Sequence, residues 1–189
     1  MPRITADTPL VELATIVSEA LHGAGIVATL SGGSAVSVYS DNRYRSADLD
    51  FVTTALRDEL AAALEPLGFA ATGSPRLSVF THPDMEWYLE FPPAPLAFGG
   101  RYVDVSESAL LATPAGDLRI ITPTQCVMDR LIAASSWNDP QALEQAVLVA
   151  THQADSIDWQ ELEQWLREEG IAGDRSVIEL YRAVGRASP

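Results

Sequence analysis

Apolar residues at Leu10, Leu13, Ala14, Val17 and Leu21 recur at the spacing of one helix face, and Gly23 and Gly25 follow as stop signals. That pattern predicts a helix over residues 9–23. Residues 26–30 form a short β-rich run that ends at Ser31-Gly32-Gly33. Residues 34–40 have helical character, and a polar, arginine-containing loop at 41–47 leads to a second predicted strand at 49–52. Residues 57–67 read as an amphipathic helix with Leu60, Leu64 and Leu67 on one side, stopped at Gly68.

Beyond Gly68 the pattern changes to short apolar runs separated by Gly, Pro and Asp. Residues 69–71, 77–80 and 87–91 predict strands, the last two forming a hairpin that turns near His82-Pro83-Asp84. Pro92-Pro93-Ala94-Pro95 interrupts any continuing strand. Residues 102–105 and 117–121 predict two further strands. After Pro123 the periodicity is helical, over 124–135, 140–152, 159–169 and 175–184. The order of elements predicts an α/β domain over residues 1–122, a mixed sheet with flanking helices. A C-terminal helical segment over 123–189 is expected to pack on it.

Composition narrows the class. The 189 residues are 47% apolar, enough for a real core. No window approaches the length of an uncharged membrane span. The start, Met1-Pro2-Arg3-Ile4-Thr5-Ala6-Asp7, lacks the apolar run of a secretory signal. A soluble protein of the cytoplasm, with no membrane partner, is the expectation. Cys126 is the single cysteine, which removes internal disulfides and cysteine-cluster metal sites; at a predicted helix start it reads as a buried small hydrophobe. His22, His82 and His152 show no ligand spacing for zinc, and His82 beside Pro83 reads as a turn residue.

Charge restricts the partners. The net charge is −14, and all twelve basic residues are arginine. A protein that grips a long stretch of nucleic acid needs a basic stripe, and none is visible, so no extensive nucleic-acid surface is expected. A small nucleotide held through cations remains compatible, because the ions carry the neutralising charge. The acidic surface also leaves room for a basic protein partner.

The candidate chemistry lies in one ordered pattern: strand, Gly32-Gly33-Ser34, short helix, loop, then Asp48-Leu49-Asp50-Phe51. Glycines after a strand let the backbone turn tightly and approach a ligand closely. A helix starting near Ser34 aims its free N–H groups at an anion, and the Ser34 hydroxyl can add a further hydrogen bond. Asp48 and Asp50 at i and i+2 project from one face of a strand. Two carboxylates that close repel by about 4 kcal/mol at an effective dielectric of 20, so they need a cation or a raised pKa. Mg2+ or Mn2+, taking carboxylate and phosphate oxygens together, suits them, and two ions about 4 Å apart would serve an in-line displacement. Either motif alone is more often a plain turn or a solvated strand edge. In this order, and bordered by Leu49, Phe51 and Val52, they point to a site.

The stretch from Leu30 through Gly32-Gly33-Ser34 to Val36, followed by Asp48-Leu49-Asp50-Phe51, resembles the signature of the polymerase-β-like nucleotidyltransferase superfamily. It is similar to small bacterial AbiEii-type and related toxin members, in which an arginine and a Ser or Thr precede the acid pair, as Arg45-Ser46-Ala47-Asp48 does here. Asp129-Arg130-Leu131 and Trp137-Asn138-Asp139 resemble the helical half of these proteins. The resemblance implies transfer of a nucleoside monophosphate from an NTP to a hydroxyl acceptor with release of pyrophosphate. It assigns Asp48 and Asp50 to a metal and Gly32, Gly33 and Ser34 to the β and γ phosphates. It also calls for a third carboxylate on a later strand, as second metal ligand or base. Glu90 in Tyr88-Leu89-Glu90-Phe91 is the choice, with Asp104 in Val103-Asp104-Val105 competing. Arg45 and Arg130 are candidates for phosphate contact, with an ion pair to Asp129 the competing fate of Arg130. Trp137, Trp159 and Trp165 read as core. The acceptor class stays open among small molecules, proteins and RNA ends, an antitoxin is an implied partner, and an inactive nucleotidyltransferase-like binding or regulatory module is the alternative function.

Overall fold

A computed structural model describes residues 4–73, 78–137 and 139–189. Helix α1 (Leu10–Gly23) leads to strand β1 (Thr29–Ser31), helix α2 (Gly32–Tyr39) and strand β2 (Asp48–Val52). Helix α3 (Arg57–Leu64) precedes β3 (Ala70–Thr72), β4 (Ser78–Thr81) and β5 (Tyr88–Phe91). The small hairpin β6 (Ala97–Phe98) and β7 (Arg101–Tyr102) is followed by β8 (Ala109–Thr113) and β9 (Gly116–Ile120). Helices α4 (Pro123–Trp137), α5 (Pro140–His152), α6 (Trp159–Glu168) and α7 (Arg175–Ala183) complete the chain. Residue Leu77 of the expected strand at 77–80, and Asn138 of the Trp-Asn-Asp motif, lie outside the described residues.

Seven strands form one mixed sheet in the order β3-β4-β5-β2-β1-β9-β8. β1 pairs antiparallel with β2 and parallel with β9, while β2 pairs parallel with β5. The β4–β5 hairpin forms as expected, with the His82 ring nitrogen Nδ1 accepting from Asp84 N–H at 3.1 Å in its turn. Strands β2 and β5 alternate strictly. Leu49 and Phe51 on β2, with Leu89 and Phe91 on β5, face the core, and the intervening residues are half-buried. Helix α1 packs on β9 and α3 through Leu13, Ala14, Val17 and Leu21, the face its periodicity marks.

The C-terminal helices share that core: Val127, Leu131, Val149, Leu162, Trp165 and Leu180 belong to the same buried cluster as Leu30, Leu49 and Phe51. Tyr39 at the end of α2 joins the two portions. Its Oη donates to the Ile121 carbonyl at 2.6 Å, and its own carbonyl accepts from Gln153 Nε2 at 2.9 Å. Among the described residues no helix is long and apolar enough to cross a membrane.

Several expectations are corrected. The first strand is 29–31, not 26–30, because the N–H groups of Ala24, Gly25 and Ile26 turn back onto the carbonyls of Ala20, His22 and Leu21 to close α1. Residues 102–105 do not form a strand beyond Tyr102: Asp104 caps a short 3-10 turn over Val105–Glu107, its carboxylate accepting from Ser106 N–H at 2.8 Å. Strand β8 was not expected: it lies at the sheet edge with no fully buried residue, and its residues Ala109-Leu110-Leu111-Ala112-Thr113 do not alternate apolar with polar. Trp165 is buried and its Nε1 donates to the Phe98 carbonyl, and Trp159 is partly buried, but Trp137 is 79% exposed at the end of α4.

Replacing Tyr39 with Phe would leave the buried Ile121 carbonyl without that donor. The expected cost is about 1–3 kcal/mol of unfolding free energy, read from the midpoint of a urea denaturation curve at unchanged slope.

Candidate active site

The site follows from strand register. Asp48 and Asp50 share one face of β2, and the parallel pairing sets Asp48 opposite Tyr88 and Asp50 opposite Glu90. Tyr88 and Glu90, also two residues apart, therefore face the same way as the aspartates. One carboxylate oxygen from each of Asp48, Asp50 and Glu90 lies within 4.8 Å of the others. Between the two acids competing for third place, the structure brings Glu90 to the pair and leaves Asp104 fully exposed as a turn cap.

Strand β1 delivers the glycine turn to the same place, because Ser31 is the register partner of Asp50. Gly32 follows with φ +62°, and a Cβ there would run into Asp50 Oδ2. Only glycine satisfies both the left-handed backbone and the closeness of the carboxylate. Helix α2 thus begins two residues earlier than expected, at Gly32, with its first N–H groups free of intrahelical partners.

Serines tie the turn to the acid strand. Ser34 is buried: its Oγ donates to the Ser31 carbonyl at 2.7 Å and accepts from Asp50 N–H at 3.2 Å. Its proton is therefore used within the fold, and what Ser34 can offer an anion is its backbone N–H. One turn later Ser37 Oγ donates to the Gly33 carbonyl at 3.2 Å and accepts from Ser46 N–H at 3.0 Å. Gly33 sits beneath this brace; a Cβ there would lie 3.1 Å from Ser46 Oγ.

The two aspartates have different surroundings. Ser46 Oγ donates to Asp48 Oδ1 at 2.8 Å, and Tyr88 Oη donates to Asp48 Oδ2 at 3.2 Å. The Asp48 charge in turn holds the Tyr88 phenol above its ordinary pKa. Burial, then the charges of Asp48 and Glu90, push the Asp50 carboxyl up to about 7, with Arg130 opposing. Arg130 lies on α4, and its Nε and Nη2 bind Asp129 Oδ2 at 3.1 and 2.6 Å, while Nη1 donates to Gln145 Oε1 at 3.1 Å. The ion pair with Asp129 forms, so this guanidinium is largely neutralised. Arg45 is exposed in the loop leading to β2.

Such a site can take a hard divalent cation. Three carboxylates supply oxygen ligands, each Asp48 oxygen keeps a lone pair beyond its single hydrogen bond, and Asp50 lacks a strong counter-charge. Ser37, Tyr88, Asp129 and Gln145 are members that sequence reasoning gave no part in the site. Tyr88 carried a readable signal, lying two residues before Glu90 on one strand, but its distance to Asp48 depends on the pairing of β2 with β5.

No family model and no curated protein sequence matches the chain. Solved structures do. The chain is similar to an antigenic nucleotidyltransferase-like protein from Paracoccidioides brasiliensis, with a TM-score of 0.64 and 14% identity over 98% of this chain and 96% of that one. It is similar to the antibiotic-resistance factor ANT(2'')-Ia in solution, with a TM-score of 0.59 and 16% identity over 90% and 97%. A crystal structure of ANT(2'')-Ia with adenylyl-2''-tobramycin gives a TM-score of 0.56 and 18% identity over 85% and 98%. The chain has the nucleotidyltransferase fold: a mixed sheet of seven strands, flanking helices and C-terminal helices.

Two outcomes follow from this geometry. Gly32→Ala is expected to destabilise the protein by about 1–3 kcal/mol through the left-handed backbone and the collision with Asp50, measured by chemical denaturation. For Asp50, the native carboxyl keeps its proton up to pH about 7, whereas the unfolded one loses it near 4. The native state thus binds the extra proton between those values, and metal-free stability falls as pH rises through that window. In EDTA, Asp50→Asn is expected to match wild type near pH 4 and to exceed it by on the order of 4 kcal/mol at pH 8. A difference independent of pH would contradict the assignment.

Proposed function

We propose that the protein is a metal-dependent nucleotidyltransferase that moves a nucleoside monophosphate from an NTP to a hydroxyl acceptor and releases pyrophosphate. The observation that carries this reading is the convergence of Asp48, Asp50 and Glu90 from two adjacent strands at the N-terminal turn of α2. The fold shared with ANT(2'')-Ia supports it.

Asp48 and Asp50 would hold a divalent ion, Mg2+ or Mn2+, with Glu90 sharing it or a second ion. The cation supplies charge neutralisation for the triphosphate and polarises the α-phosphate. Backbone N–H groups at Gly32, Gly33 and Ser34 would receive the β and γ phosphates, and exposed Arg45 would reach them from the loop. The acceptor oxygen forms a bond to the α-phosphorus, the bond from that phosphorus to the bridging oxygen breaks, and pyrophosphate leaves. Glu90, facing the pair from β5, would take the acceptor's proton where it does not bind metal. Arg130, held by Asp129 and Gln145 and felt by the Asp50 carboxyl, would contact the leaving group or the acceptor. Positioning and electrostatics supply the rate.

A small cationic polyol suits the acceptor side best. The net charge of −14 disfavours a polyanion such as RNA, and ANT(2'')-Ia was captured with an adenylylated aminoglycoside. The same acidic surface would accommodate a basic protein partner, as the AbiEii-type resemblance implies with its antitoxin. Cytoplasmic location follows in this reading from the need for NTP and Mg2+.

The test is pyrophosphate release from each common NTP with Mg2+ and panels of aminoglycosides, proteins and RNA. Turnover is expected with one acceptor class, and Asp48→Ala with Asp50→Ala should lower it by at least 10³-fold, on the scale of losing a principal electrostatic element. Turnover surviving the double substitution would sink the proposal. Metal-dependent NTP binding in calorimetry without any product would favour the inactive binding module instead.

A further inference from the structure

We infer that Ser46 and Tyr88 are positioning residues, a pair of hydroxyl donors that fixes the Asp48 carboxylate in the orientation that binds a divalent ion. The inference rests on the metal-site reading above and assigns it two residues that do not themselves hold the ion.

The geometry separates Asp48 from its neighbour. Both Asp48 oxygens are engaged, Oδ1 by Ser46 at 2.8 Å and Oδ2 by Tyr88 at 3.2 Å. With a donor on each oxygen the carboxylate cannot turn freely about its Cβ–Cγ bond. Each oxygen retains a lone pair for an ion. The donors come from different elements. Ser46 stands two residues before Asp48, and its own N–H is anchored to Ser37 of α2. Tyr88 stands opposite Asp48 on β5. The carboxylate is therefore clamped between the segment braced to α2 and the strand that carries Glu90. Displacement of either would reach Asp48 through a hydrogen bond. Both donors are neutral hydroxyls, so they orient the carboxylate without removing the negative charge that a cation needs. A lysine or arginine at either place would compete with the ion for that charge.

Carboxylates that ligate metals depend on such outer partners, and losing one commonly weakens metal affinity or activity by about 10- to 100-fold. Tyr88→Phe keeps the ring and removes only the donor. Ser46→Ala removes the other, and Ser46→Thr restores a hydroxyl at the same place.

The experiment is calorimetric titration of the full chain with Mn2+ alone, at fixed pH, with thermal melts of each metal-free variant alongside. Wild type is expected to bind, and Tyr88→Phe and Ser46→Ala to bind at least about tenfold more weakly. Ser46→Thr should return most of the affinity, and Asp48→Asn should bind least. Mg2+ dependence of turnover gives an independent readout: in Tyr88→Phe the half-saturating concentration rises by the same factor, while kcat at saturating Mg2+ stays within about threefold of wild type. Should Tyr88→Phe melt much lower than wild type, the Ser46→Ala and Ser46→Thr pair carries the comparison. Mn2+ affinities within twofold of wild type in both Ser46→Ala and Tyr88→Phe, with Asp48→Asn impaired, would overturn the positioning role and leave the metal site standing. No Mn2+ binding by wild type would overturn the metal site itself, and the clamp with it.

Discussion

Three carboxylates on one face of two neighbouring strands repel one another, and the surrounding structure is arranged to hold them there. At about 4 Å and an effective dielectric of 20, each like-charged contact costs on the order of 4 kcal/mol. The opposite face of the same strands opposes that cost. Leu49, Phe51, Leu89 and Phe91 are buried there, and each such side chain contributes about 1.5–3 kcal/mol. The sum is of the same order as the repulsion, so the strands stay paired and the strain is expressed in protonation. Asp50, raised by burial and by the charges of Asp48 and Glu90, takes a proton with a pKa of about 7, while hydroxyls donate to both oxygens of Asp48. Arg130, the cation felt by Asp50, is already paired with Asp129 and relieves little.

Small residues make this arrangement compact. Gly32 leaves the space that Asp50 occupies, and Ser34 and Ser37 reach from the first turns of α2 to the backbone of Asp50 and Ser46. A longer polar side chain at either position would push the helix away from β2. The glycine turn and the acid strand consequently form one hydrogen-bonded unit, so a disturbance at Gly33 or Ser37 is felt at Asp48. Tyr39, two residues after Ser37 on the same helix, binds this unit to the Ile121 carbonyl and to Gln153 at the end of α5. Eight residues of α2 thus connect glycine turn, acid pair and C-terminal helices.

Legibility in the sequence tracked how local each decision was. The helices were readable because their buried faces repeat within the segment, as in α1 and in the strongly amphipathic α6 and α7. The β4–β5 hairpin was readable from its turn residues. Strand β8 was not, because Ala109-Leu110-Leu111-Ala112-Thr113 does not alternate apolar with polar residues even though its exposure alternates at the sheet edge. Trp137 was misjudged for a related reason: helical position says nothing about whether a neighbouring element arrives to cover it, and none covers it among the described residues.

The sequence by itself determined the glycine turn, the Asp48 and Asp50 pair on one strand face, and the acidic surface with arginine as its sole basic side chain. These depend on backbone sterics, a two-residue period and composition, all of which are local or additive. Only the tertiary structure sets Glu90 rather than Asp104 beside the pair, since their local patterns are alike and the placement lies in the parallel register of β2 on β5. The same register brought Tyr88 to Asp48. Ser34 was recognised as part of the turn, but only packing showed its hydroxyl turned inward to Ser31 and Asp50. Hydrogen-bond partners distant in sequence are selected by which strands meet, and that selection is made by the whole core.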